Sequence, residues 1–429
     1  MDFLPINTDE GAISASAAIR TGLSAKGALY RPAHLPKFNR DDFPPDIDLV
    51  SLAKTLLAPF FAGDALEPHL NTICETAFNF PAPLTRPDEG QQSLYALELF
   101  HGPTGAFKDY GARFLMGCLN ALASTGEILT VLAATSGDTG GAVGCAGEGQ
   151  PHVQTVILYP DGRVSDFQAR QLSCWRTPAR TYRVHGDFDA CQALVKAAFN
   201  DPEAKARFHL TSANSINIAR LLPQTVYWAR AALEAYHRHG VKPGFIIPTG
   251  NLGNSVAAHY ARAMGFPIGE IHIATNANAT LKDWSEGAPF TPRASIATLA
   301  NAMDVGAPNN FPRLQALEGE ARAPVTRVDD ETIKAALARE YQDTGYIWCP
   351  HGATGIETYR QLSANERDGV WIIAATAHPY KFSDVVEPIL KTRIDPSPAL
   401  AAVLERSAHA AALEPRLEAL LDALEGEFV

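Results

Sequence analysis

Leu94-Tyr95-Ala96-Leu97-Glu98-Leu99-Phe100-His101-Gly102-Pro103-Thr104-Gly105-Ala106-Phe107-Lys108-Asp109 is the stretch around which this chain is organised. Leu94 to Phe100 is an apolar, strand-like approach. It runs into a turn punctuated by Gly102, Pro103 and Gly105, which delivers one lysine between Phe107 and Asp109. A lysine does covalent chemistry when desolvation or a neighbouring cation lowers its pKa, because the neutral amine can then attack a carbonyl. Ala106 and Phe107 supply apolar neighbours suited to that use for Lys108. An ordinary solvated loop lysine is the alternative, and the remaining motifs must decide between the two.

Outward from this stretch, short apolar runs alternate with helical ones. The expected strands are Leu94 to Phe100, Leu129 to Ala134, Gln154 to Tyr159, Thr181 to Val184, Gly244 to Pro248, Glu270 to Thr275 and Gly369 to Ala375. The helices expected between them are Tyr110 to Thr125, Gly140 to Glu148, Asp166 to Leu172, Phe188 to Asn200, Asn217 to His239, Leu252 to Met264 and Thr332 to Gln342. Strand, glycine turn and helix in repetition predict an α/β fold, with mostly parallel twisted sheets and helices on both faces. Ligands of such sheets sit at the carboxyl ends of strands, where these glycines fall.

Residues 1–93 read differently, as a mainly helical N-terminal extension with helices over Ile13 to Leu23, Leu49 to Phe61 and Leu66 to Phe80. The rest, 94–429, forms a catalytic region with a smaller α/β subdomain at about 112–208, and Pro396 to Val429 reads as one or two helices.

Hydrophobic residues make up 46% and charged residues 19% of 429, a balance that buries a core and excludes a disordered chain. A net charge of -11 disfavours nucleic acid and anionic membranes as partners, so any bound anion needs a local site. The six cysteines form no CxxC pair and no zinc spacing, which predicts reduced thiols, no metal and a cytoplasmic protein. Neither a secretion signal nor an apolar run long enough for a bilayer is visible. Monomer and homodimer both remain open.

Ile246-Ile247-Pro248-Thr249-Gly250-Asn251-Leu252-Gly253-Asn254-Ser255 lies between an expected strand and an expected helix. Its small residues allow close backbone approach to a phosphate, whose charge the free N–H groups and dipole of the helix start can hold. It lacks the Gly-Lys-Ser/Thr ending of a nucleotide loop and the spacing of a dinucleotide loop, so a monophosphate suits it better. A tight turn without ligand is the alternative. Thr135-Ser136-Gly137-Asp138-Thr139-Gly140 is a second strand-to-helix turn, able to grip a carboxylate or simply to cap a helix. Asn214, Ser215, Asn217 and Arg220 form a third group. They suit a substrate phosphate or carboxylate, or else a capped helix with a solvated arginine. His351 and His378 follow in late turns, where a hydrogen-bonded structural histidine is the commoner use.

Taken together, Glu98 to Asp109, Thr135 to Gly140, Asn214 to Gln224, Pro248 to Asn254, Ala274 to Asn276, Ala302-Met303-Asp304, Asn310-Phe311 and Ala375 to Lys381 resemble the threonine synthase family. The segments occur in family order over most of the chain. The resemblance implies fold type II, pyridoxal 5'-phosphate as cofactor, and lyase activity in threonine biosynthesis that turns O-phosphohomoserine and water into threonine and phosphate. It implies that Lys108 forms the Schiff base and serves as the catalytic base, that Gly250, Asn251, Leu252, Gly253 and Asn254 hold the cofactor phosphate, and that Thr376 meets the pyridine nitrogen. By the same resemblance Asp138 lines the cofactor, Thr135, Ser136 and Thr139 the substrate carboxylate side, and Asn214, Ser215, Asn217 and Arg220 the substrate end. A related lyase releasing 2-oxobutanoate and a noncatalytic binding paralogue are the alternatives. The chain departs from the family pattern at Ile6 to Gly11, at Lys26-Gly27-Ala28 and at Gly352.

Overall fold

The computed structural model describes residues 1–135, 137–318 and 322–426. Its centre is a six-stranded sheet in the order Val325–Arg327, Ile271–Thr275, Gly244–Pro248, Trp371–Ala375, Leu94–Glu98, Leu84–Thr85. Every pairing is parallel except the last. The Gly244–Pro248, Ile271–Thr275 and Trp371–Ala375 strands are buried along their whole length. Continuous apolar runs of this kind are what a parallel sheet covered on both faces requires.

A second sheet of five strands is ordered Ala411–Leu413, Ala179–Val184, Val153–Pro160, Leu129–Ala134, Leu210–Thr211, all parallel. The seven strands expected from the sequence are all present, within two residues at each end. The Phe188–Asn200 and Leu49–Phe61 helices have the expected limits, the latter capped by the Asp48 side chain on the Ser51 N–H at 2.9 Å.

Several expectations are corrected. The C-terminal stretch is not wholly helical. Between the Pro398–Leu404 and Leu417–Glu425 helices, Ala411–Leu413 pairs with Tyr182 to Val184 as the edge of the smaller sheet. That sheet therefore draws a strand from far outside 112–208. The single helix expected from Asn217 to His239 is two, Ile218–Leu221 and Gln224–His239, with Pro223 between them. The N-terminus holds an antiparallel sheet, Asp2–Pro5 between Ile13–Ser14 and Tyr30–Pro32, and the first helix is only Ala15–Thr21. The N-terminal extension shares its core with the rest of the chain. Phe3, Ile19, Leu56 and Phe60 share one continuous apolar cluster with Phe114, Phe245 and Ile271 of the central layers.

Candidate active site

Three neighbouring strands of the large sheet end side by side, and each end carries a motif: Leu94–Glu98 leads to Lys108, Gly244–Pro248 to Gly250, and Trp371–Ala375 to Thr376. The backbone of residues 105–107 zips onto the Thr376 end. Phe107 donates to the Thr376 carbonyl at 2.9 Å, His378 to the Gly105 carbonyl at 2.9 Å, and Ala106 bridges Ala377. This pins Lys108, the first residue of the Lys108–Leu122 helix, beside Thr376. Buried Asp109 fixes the turn from within, accepting from the Thr104 N–H at 2.9 Å and the Thr104 hydroxyl at 2.6 Å. Burial pushes its carboxyl up to about 6, and the Thr104 bonds only partly offset that.

A cavity of about 200 Å³ opens where the two sheets meet. Its wall includes Lys108, Thr135, Gly137, Asp138, Thr139, Asn214, Ser215, Arg220, Gly250, Asn251, Gly253, Asn254, His351 and Thr376. The structure thus brings together most of the residues singled out from the sequence, although they come from six separate stretches of chain. Three are not so placed. Ser136 lies outside the described residues. Leu252 is not on the wall: its side chain is buried in the apolar core, while its backbone, at φ 64°, makes the left-handed turn into the Gly253–Ala263 helix. Asn217 is not on the wall either. Its carboxamide caps the Ile218–Leu221 helix on the Ala219 N–H at 3.0 Å and donates to the Ile19 carbonyl at 2.7 Å. The helix expected over Asn217 to His239 took Asn217 as already helical, whereas it is the residue before the helix.

Burial holds the Lys108 amine below the ordinary lysine range, the Asp138 carboxylate opposes this, and the Arg220 and Lys381 cations reinforce it. Asp138 Oδ2 is 4.0 Å from Lys108 Nζ, and Oδ1 is 3.0 Å from Lys381 Nζ. Although burial alone would raise it, the cations of Lys381 and Lys108 hold the Asp138 carboxyl at about 2. His351 is buried in the first turn of the Pro350–Gln361 helix, where the sequence suggests only a turn. Burial lowers its pKa to about 4, and its Nε2 accepts the Ala302 N–H at 3.1 Å. That bond anchors the 301–305 segment across Gly250, at which a Cβ would stand 2.9 Å from the Ala302 carbonyl oxygen and the Met303 Cα. His378 stays off the cavity wall. It caps the next turn by accepting the Tyr380 N–H at 3.2 Å and packs edge-on against Phe100.

The Gly250 loop is braced by its own asparagines. Asn254 accepts from the Thr249 hydroxyl at 2.8 Å and the Ser255 N–H at 2.9 Å, and donates to the Pro248 carbonyl at 2.8 Å. Asn310 joins this loop to the third group, donating to the Asn251 carbonyl at 3.0 Å and the Ser215 carbonyl at 3.2 Å. Thr135 likewise holds the second turn, accepting the N–H groups of Gly137 and Gly140 at 3.1 Å each. Arg220 is 3% exposed. One terminal nitrogen donates to the Ala213 carbonyl, while its Nε has no partner among the described residues. Gly111 makes room for it, since a Cβ there would meet the Arg220 carbonyl oxygen at 2.7 Å.

The donor set fits a phosphorylated pyridoxal. A poised amine, a neutral helix start and a buried guanidinium with no carboxylate ion pair among the described residues line one small cavity, and a buried cation of this kind calls for an anion. Comparison with known proteins agrees. The family profile of the pyridoxal-phosphate dependent enzymes matches residues 75–375, which defines the class. A threonine synthase C-terminal profile matches residues 352–423. Threonine synthase of Haemophilus influenzae is 39% identical over 91% of both chains. The crystal structure of threonine synthase from Escherichia coli superposes with a TM-score of 0.88 at 35% identity over 99% of both chains. That of the PLP-bound enzyme from Brucella melitensis superposes with a TM-score of 0.90 at 30% identity over 99% and 98%. The chain belongs to the threonine synthase family, as fold type II lyases that use pyridoxal phosphate.

Proposed function

We propose that this chain converts O-phosphohomoserine and water into L-threonine and phosphate, with the residues around the cavity in the following roles. Gly250, Asn251, Gly253 and Asn254 hold the cofactor phosphate at the start of the Gly253–Ala263 helix, and Thr376 offers a neutral hydroxyl to the ring nitrogen. When bound, pyridoxal phosphate supplies an electron sink conjugated to the α-carbon of the substrate. Lys108 Nζ, kept unprotonated by burial, takes the Cα proton and then one from Cβ. Arg220, with Asn214 and Ser215, holds the γ-phosphate and takes up charge on its bridging oxygen as the bond to Cγ breaks. Lys108 then returns one proton to Cγ and, after water has added its oxygen at Cβ, a proton is restored to Cα, which completes threonine. Asp138 keeps the amine oriented, and Thr135 and Thr139 face the substrate carboxylate from the second turn.

The observation that supports these roles best is the buried Arg220, which lies on the same cavity wall as Lys108 and whose Nε has no partner among the described residues. The test is a product assay: purified protein loaded with pyridoxal phosphate and given O-phosphohomoserine should release threonine and phosphate in equal amounts. Release of 2-oxobutanoate as the main organic product would overturn the reading in favour of the alternative lyase. We place the activity in the cytoplasm, a reading supported by six free cysteines, and no described helix is long and apolar enough to cross a membrane.

A further inference from the structure

Lys381 lies in the short Pro379–Phe382 turn beyond the Thr376 strand end, and its side chain is wholly removed from solvent. A lysine is almost never fully buried unless it is paired. This one meets three acceptors: it donates to the Thr104 carbonyl at 2.6 Å and to the Gln171 carboxamide oxygen, and it stands 3.0 Å from Asp138 Oδ1. Gln171 also donates to the Thr104 carbonyl, at 3.0 Å. Thr104 in turn is bound through its N–H and hydroxyl to Asp109, the residue after Lys108. One ammonium therefore ties the Asp166–Ser173 helix beside the smaller sheet and the start of the Asp138–Gly147 helix to the turn that carries Lys108.

We propose that Lys381 is a positioning residue for Lys108, taking up the Asp138 charge so that the reactive amine is not held protonated, and locking the 104–109 turn to the opposite sheet. The proposal rests on the functional reading above. The charged and titratable groups facing Lys108 are Asp138, Arg220, Lys381 and His351, with Asp109 behind the turn. Asp138 is the anion nearest the amine, and Lys381 is its closest cation, at 3.0 Å against 4.0 Å for Lys108. Without Lys381, Lys108 would become the counter-ion of Asp138 and would also lose the repulsion of a neighbouring cation. Both changes raise the affinity of Lys108 for its proton.

The experiment is pH-dependent acetic anhydride labelling of Lys108 in the cofactor-free full-length chain, read by peptide mass spectrometry. It is paired with the pH midpoint of the visible absorbance after loading with pyridoxal phosphate. K381M and K381Q should each move the Lys108 labelling midpoint up by one unit or more, so labelling at pH 7 falls about tenfold or more. K381R should restore it to within about threefold of wild type. If K381M and K381Q lose thermal stability but leave the midpoint in place, Lys381 is merely structural and the proposal is overturned. Should neither variant fold, the double variant D138N/K381M, which removes both charges, is expected to yield soluble protein. Its failure would overturn charge compensation as the role of Lys381. A wild type that takes up no pyridoxal phosphate would sink the functional reading instead, while the labelling comparison would still report on Lys381.

Discussion

The cavity has two places for an anion, and they are built on opposite plans. The Gly250–Asn254 loop carries no charged side chain, and its polar groups are largely satisfied by its own asparagines and by Asn310. The Asn214–Arg220 group centres on a full positive charge, nearly buried, with one nitrogen unmatched among the described residues. A cofactor phosphate that never leaves needs a rigid, neutral cradle that costs little to preorganise. A phosphate that must depart gains from a cation whose attraction strengthens as charge develops on the leaving oxygen. The difference assigns the resident anion to one and the leaving group to the other, and substitutions should separate them.

The largest effect is expected at the charged site. R220A should lower kcat/KM for O-phosphohomoserine by about 10²–10³-fold, the usual cost of one preorganised transition-state donor. The cofactor's visible absorbance should persist. Loss of the absorbance together with the activity would merge the two sites and break the comparison. Burial lowers the guanidinium pKa to about 10, so Arg220 is still charged at neutral pH and its contribution should not titrate between pH 6 and 8.

Asn217 sharpens the comparison from outside. It caps a helix and binds the Ile19 carbonyl from full burial, so N217A removes a cap and leaves a buried acceptor unmet. A stability loss of about 2 kcal/mol is expected in denaturant unfolding, with kcat/KM of the folded protein unchanged within about twofold. A selective rise in KM for the phosphorylated substrate would return Asn217 to the leaving-group site.

G250A tests the neutral cradle. The added Cβ would stand 2.9 Å from the Ala302 oxygen and the Met303 Cα, forcing the 301–305 segment outward. Affinity for pyridoxal phosphate, measured by equilibrium titration of its absorbance, should fall about tenfold, in keeping with the 1–3 kcal/mol cost of overpacking. The KM for substrate in the saturated enzyme should hardly move.

How much of this was legible in the sequence follows from where local pattern decides structure. Gly244–Pro248 and Trp371–Ala375 are apolar runs closed by turns, so their strands and the loops at their ends could be read directly. Leu84–Thr85 and Leu210–Thr211 are two residues long and exist only because a neighbour pairs with them. Ala411–Leu413 sits in an alanine- and leucine-rich tail of high helix propensity, and pairing with Ala179–Val184 overrides that propensity. At the site, Lys108 and Arg220 announced themselves through glycine turns and grouped donors. Lys381 carries no such signal: only the packing of Thr104, Gln171 and Asp138 around it reveals a buried charge. His351 read as lying in a turn, whereas Pro350 takes the first position of the Pro350–Gln361 helix, where proline is favoured.

The smallest expected effect concerns that histidine, and it distinguishes the two anion sites by pH. His351 is held neutral chiefly by burial, with the cations of Lys108 and Lys381 adding to the effect and Asp138 opposing it. Its folded pKa of about 4 lies below the unfolded value near 6.5. Between those values the unfolded chain binds the proton and the folded chain does not, so stability is complete above about pH 6.5 and declines as pH falls toward 4. Protonation of Nε2 would also break the bond from the Ala302 N–H, which anchors the segment lying against Gly250. Acid should therefore loosen the cradle first, with cofactor dissociation about two- to fivefold faster at pH 5 than at pH 7.5 in a stopped-flow trapping assay. H351N, in which no imidazole titrates, should dissociate at a rate nearly flat across the same range. If H351N keeps the acid dependence of the wild type, the 301–305 segment is held by something other than this histidine, and the cradle is rigid on its own account.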